Sequence, residues 1–142
     1  MLKERTSIFL ISVLVITLII VSVRFKNLIV ENNSKQTNIN ISFKSNLSVG
    51  ASAFPGNYNE AILPIASSSM LFEFTTYNKN NKGLPITLNY LCYLMKQAQY
   101  KKAIIEKSKL IYDYLLRISI NPEDKQATDN LTKLTVEIGK TR

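Results

Sequence analysis

Histidine is absent from the chain, and a whole class of chemistry goes with it. Without an imidazole there is no Ser-His-Asp triad and no Cys-His pair, and the commonest zinc ligand is missing. The single cysteine, Cys92, forbids an internal disulfide. It falls among apolar residues at helical spacing, where a thiol reads as buried packing and not as a nucleophile. The four glycines, Gly50, Gly56, Gly83 and Gly139, are too scattered to build a phosphate loop or a dinucleotide fingerprint. The densest acids, Glu123, Asp124 and Asp129, lack the spacing of a calcium loop. No strand-like alternation appears. That counts against a membrane-anchored Ser-Lys hydrolase built on Ser69-Met70 and a lysine such as Lys79, because such folds are rich in β-structure. Nothing reads as a catalytic, cofactor-binding or metal-binding constellation, so the sequence predicts no enzyme and no cofactor.

Acidic residues are also scarce. Eighteen Lys and Arg against ten Asp and Glu give a net charge of +8. A basic domain beside a membrane is drawn to anionic headgroups or acidic partners. Nucleic acid is not an expected partner, since no basic stripe alternates with aromatics and no helix-turn-helix pattern occurs.

What the sequence does have is one long uncharged run, Thr6 to Val23. As a helix it would span about 27 Å, just sufficient for a bilayer core. Lys3 and Arg5 precede it, and Arg24 and Lys26 follow it. The charge bias is nearly balanced, but a five-residue tail is simplest to leave in the cytoplasm. Val21-Ser22-Val23 is a poor cleavage site, which favours an uncleaved signal anchor. The expected organisation is a cytoplasmic tail over 1–5, a transmembrane anchor over 6–23, a polar and partly helical linker over 24–55, and a helical domain over 56–142.

Within that domain a short stretch occurs twice. Gly56-Asn57-Tyr58-Asn59-Glu60-Ala61-Ile62 is echoed by Ala98-Gln99-Tyr100-Lys101-Lys102-Ala103-Ile104, 42 residues on. Such a period suggests stacked helical hairpins. Gly56 and Ala98 would let helices approach, Tyr58 and Tyr100 would pack back, and Ala61 and Ala103 would keep the contact close. Helices are expected over Asn59 to Tyr77, Ile86 to Gln97, Tyr100 to Ser119 and Asn121 to Ile138. Pro85 and Pro122 would open two of them, Asn121 would cap the last, and Gly139 would close it.

The helix order and the small-x-Tyr-x-x-Ala motif resemble tetratricopeptide repeats over about Gly56 to Ile138. The fold class is thus all-α, one N-terminal transmembrane helix followed by tetratricopeptide-like helical hairpins. A narrower stretch resembles the MxaK family of accessory proteins of bacterial methanol oxidation. It comprises Leu88-Asn89-Tyr90-Leu91, Lys107 to Arg117, and Asn121-Pro122-Glu123-Asp124. That resemblance implies a scaffold in maturation of a periplasmic quinone-dependent methanol dehydrogenase, including its calcium supply. The expected location is the bacterial inner membrane, with the N-terminus cytoplasmic and the C-terminal domain periplasmic. The expected partners are other proteins and the bilayer. Tyr90, Tyr93, Tyr112 and Tyr114 are too many for one small core and are candidates for a binding surface, with Lys101, Lys102 and Lys109 steering an acidic partner. The rival reading is a small single-pass structural subunit, with Ser12, Thr17 and Ser22 facing neighbouring helices.

Overall fold

The structure, a computed structural model, describes the backbone of residues 2–141 and the side chains of residues 13–141. The expected roles of Lys3, Arg5, Ser12 and Arg142 lie outside the described side chains. Every regular element among the described residues is helical: α1 (Leu2–Ala53), α2 (Ile62–Phe72), α3 (Leu84–Met95), α4 (Lys101–Glu106), α5 (Ser108–Ile120) and α6 (Lys125–Lys140), with 3-10 turns at Tyr58–Ala61 and Ala98–Tyr100. The chain forms two compact units, Met1–Thr37 and Asn38–Arg142.

In the first unit the α1 stretch from Val13 to Val23 carries no charge on any side, and Val13 to Val30 are all exposed. It is the one helix among the described residues long and apolar enough to cross a membrane. The Thr17 hydroxyl donates to the Val13 carbonyl at 2.8 Å, so it is satisfied within its own helix. Lys35 and Glu31 form an exposed pair one turn apart at 2.7 Å, which adds only a few tenths of a kcal/mol.

The second unit begins inside α1, and the stretch 24–55, expected as a polar and partly helical linker, is helical through Ala53. No proline interrupts the helix before Pro55, and Phe43, Leu47, Ala51 and Phe54 are buried on one face. The Phe43 ring meets Phe72 at 5.3 Å and Tyr77 at 6.3 Å. Polar groups at the margin tie the same segment down. Asn40 bonds both the backbone N–H and the hydroxyl of Thr76, and Lys44 Nζ donates to the Ile120 carbonyl at 3.1 Å, at the C-terminal end of α5. The helix stops before Pro55, whose ring disfavours helical backbone in the residue before it.

The close helix approach falls at Gly50 and not at Gly56 or Ala98, both of which are exposed. A Cβ on Gly50 would stand 2.7 Å from Ile65 Cγ1 of α2, whereas one on Gly56 would meet nothing nearer than the Ala53 carbonyl at 4.0 Å. Gly50→Ala should therefore lower stability by up to about 2 kcal/mol in urea unfolding. Overpacking of about 1–3 kcal/mol outweighs the helix-propensity gain of about 1 kcal/mol.

Asn57 is extended and caps the first 3-10 turn, its Oδ1 accepting from the Asn59 N–H at 3.2 Å. Gln97 plays the same backbone role before the second turn. The two caps are two residues closer than the motif period, so Tyr58 opens its turn and Tyr100 ends its own. Ala61 is buried, while Tyr58, Tyr100 and Ala103 are partly buried against the core.

α2 ends at Phe72, five residues before the expected Tyr77, because its last carbonyls are taken locally. Thr75 Oγ1 donates to Phe72 O at 2.7 Å and Asn78 Nδ2 to Glu73 O at 3.1 Å. α2 and α3 run antiparallel, with Ser69 Oγ bonded to Pro85 O at 2.9 Å and Cys92 Sγ over Ile62 O at 3.6 Å. The expected third helix is broken at Lys107, whose φ of −99° and ψ of 5° separate α4 from α5. The i to i−4 bonds continue through the break, and the stripe Ile104, Ile111, Leu115 and Ile118 stays buried on both sides. Lys107 reaches Glu137 of α6 at 2.9 Å.

The last helix starts at Lys125, not Asn121. Asn121 terminates α5, and its Oδ1 accepts from the Glu123 N–H in a local turn, which leaves Asp124 as the cap on the Ala127 N–H at 2.9 Å. That backbone bond, with the Arg117 guanidinium 2.8 Å away, holds the Asp124 carboxyl below the ordinary carboxylate range. A depressed folded-state value stabilises the fold above the unfolded value. The contribution is then lost as pH falls through the folded one. Asp124→Ala should cost about 1 kcal/mol at neutral pH, and the difference from the parent should vanish in acid titrations followed by circular dichroism. Gly139 also differs from its expected capping role. It lies inside α6 and the Tyr90 hydroxyl sits where its Cβ would be.

Candidate functional site

On α3 the stripe Leu88, Leu91, Cys92 and Met95 faces the core, which turns Ile86, Tyr90 and Tyr93 outward at i, i+4 and i+7. Tyr90 and Tyr93 stack at 6.2 Å with 11° between their planes, and they remain 37% and 53% exposed. Gly139 lets the Tyr90 ring lie down on α6. Exposed stacked tyrosines present a large rigid contact area at low entropic cost. Tyr112 and Tyr114 are different: both are half-buried and packed on the core, so they line no open surface with the other pair.

Lys101 and Lys102 are exposed on α4 and line a shallow depression of about 500 Å³ with Ala98, Gln99, Ile105 and Glu106. Neither the tyrosine pair nor Lys109 lines it. The seven candidate residues therefore do not converge on one site. Tyr90 joins Tyr93, Lys101 joins Lys102, and the remaining three lie apart.

A second concavity escapes sequence reasoning. The loop between α2 and α3 turns inward and buries Asn81, whose Nδ2 donates to Pro122 O at 2.9 Å and Thr128 Oγ1 at 2.8 Å. Asn80 Nδ2 donates to Glu123 Oε1 at 2.8 Å, and Thr87 and Thr132 hydroxyls meet at 2.6 Å. These bonds fasten the loop and α3 to α6, which runs parallel to α3. They leave a cleft of about 510 Å³ lined by Lys79, Lys82, Lys125, Asp129, Thr87 and Thr132, with Ile86 at its edge. The signal was the run Asn78 to Gly83, which composition alone marks only as a polar loop.

Ser69 is buried and bonded to a backbone carbonyl, and Lys79 belongs to the cleft, so the two form no dyad. Among the described residues no group of three His, Cys, Asp or Glu side chains is placed to hold a metal. Burial pushes the Cys92 thiol up to about 11, the nearby Lys96 charge opposing it. Cys92 should react with a thiol reagent only slowly in the folded protein and at once in denaturant, a contrast read directly by absorbance.

No protein-family model, curated protein or solved structure matches the chain.

Proposed function

We propose that this protein is a non-catalytic, membrane-anchored scaffold that binds other proteins through its helical domain. The observation that carries the reading is the stacked Tyr90–Tyr93 pair, exposed on a helix whose opposite face is fully committed to the core. The exposed, all-round apolar surface of α1 supports the anchor, since a helix of that character needs lipid or other apolar helices around it. The uncharged run Thr6 to Val23 supports a single-pass membrane protein, and the reading places its helical domain on the periplasmic side of a bacterial inner membrane. The resemblance to the MxaK family nominates methanol dehydrogenase and its maturation proteins as clients.

Affinity purification of the tagged full chain from its own membranes, with quantitative mass spectrometry, tests the scaffold. A client recovered at less than equal amounts is the expected result. Equal recovery with one stable multi-subunit complex would make the protein a structural subunit instead, and recovery of the methanol-oxidation proteins would identify the client class.

A further inference from the structure

We infer that the cleft between the α2–α3 loop and α6 receives an acidic peptide segment of the partner, with an apolar neighbour of that segment seated along Ile86, Tyr90 and Tyr93. The inference rests on the scaffold reading and names the chemistry of its ligand. Lys79, Lys82 and Lys125 line the cleft, and among the described residues none of the three is in an ion pair. Their charges are thus available to carboxylates from outside.

Other residues that line the cleft supply the opposite polarity. The Thr87 and Thr132 hydroxyls have two protons between them, and their neighbours Gly83 O, Thr128 O and each other already accept these. What these hydroxyls offer a ligand is lone pairs, beside the exposed Asp129 carboxylate. Acceptors set among cations fit a peptide, whose N–H groups donate to the hydroxyl oxygens while its acidic side chains reach the lysines. The arrangement fits a dense polyanion poorly, because Asp129 would repel it. Ile86 belongs to both features: it edges the cleft and begins the exposed row that runs about 10 Å along α3 to Tyr93. An apolar residue beside the acidic ones would find its contact there.

The test uses the full chain in phosphatidylcholine nanodiscs and a fluorescein-labelled peptide of alternating Glu and Leu, followed by fluorescence anisotropy. The same peptide with Lys in place of Glu is the control. Saturable binding of the acidic peptide is expected, weakened by added salt. The Lys79→Gln/Lys82→Gln/Lys125→Gln variant should weaken it by about tenfold or more. The Lys101→Gln/Lys102→Gln/Lys109→Gln variant, with the same change in net charge, should change it by less than about twofold, and Tyr93→Ala should weaken it about threefold or more. Equal loss in the two lysine variants would reduce the effect to bulk charge and overturn the proposal. So would comparable binding of the Lys peptide, or saturable binding of neither. The cleft variant is also carried through the co-purification. A client captured by the parent and undiminished in the cleft variant would overturn the cleft while leaving the scaffold standing. Cleft-dependent peptide binding without any client would overturn the scaffold alone.

Discussion

Replacing Phe43 with Ala should lower the stability of the helical domain by about 3–5 kcal/mol, the cost of an aromatic-to-alanine cavity in a packed core. Phe43 is fully buried, and its ring contacts Phe72 and Tyr77 from the α2 end of the domain. The loss is a large share of the about 5–15 kcal/mol that holds a domain of this size together. It should appear as a fall of more than about 10 °C in the melting temperature of the detergent-solubilised protein. Ser42→Ala, one residue away on the exposed face, should change it little. A linker at this position would make both substitutions equally silent. The contrast therefore tests whether α1 supplies the first core helix of the domain.

The second large effect lies at the other end of the same helix. Leu14→Asp combined with Leu18→Asp places two carboxylates near the middle of the uncharged run. Each carries an insertion penalty of about 2.5–3.5 kcal/mol at the centre of a spanning helix. Together they should shift a translocon-insertion reporter from predominantly inserted to predominantly not inserted. Both positions are more than 60% exposed and pack on nothing within their unit, so the loss would report on lipid contact and not on misfolding. The Phe43 and Leu14/Leu18 variants should be separable: the first unfolds while still in membranes, and the second leaves membranes while still folded.

Much of the helical order was legible because apolar spacing is a strong signal. α3 was expected from Ile86 and begins two residues earlier at Leu84, with Pro85 in the tolerated first turn. The buried faces of α5 and α6 are Ile111, Leu115 and Ile118, and Ala127, Leu131, Leu134 and Ile138, rows at the three-and-four spacing that marks a helix in sequence. The continuation of α1 was harder to see. The Asn and Ser residues between Arg24 and Asn46 have low or neutral helix propensity, and the sparse row Phe43, Leu47, Ala51 and Phe54 packs the later part of the segment onto the domain. Gly50, whose missing side chain lowers helix propensity, is what permits the contact with Ile65. At the start of α6, Asn121 and Asp124 are both competent caps. The choice depends on Arg117, which approaches from α5 and favours Asp124, and local sequence does not contain that contact. The same limit applies to the cleft. Asn81 is decisive only because Pro122 and Thr128, more than forty residues away in sequence, stand within reach of its amide.

Alkaline carbonate extraction of membranes holding the full chain, with protease added to intact spheroplasts, tests most directly whether one helix anchors a folded domain outside the cytoplasm. The expected result is full-length protein retained in the membrane pellet, with the helical domain cut only by external protease once unfolded and its cytoplasmic end protected. Release into the carbonate supernatant, or a mature chain lacking the run Thr6 to Val23, would contradict the account.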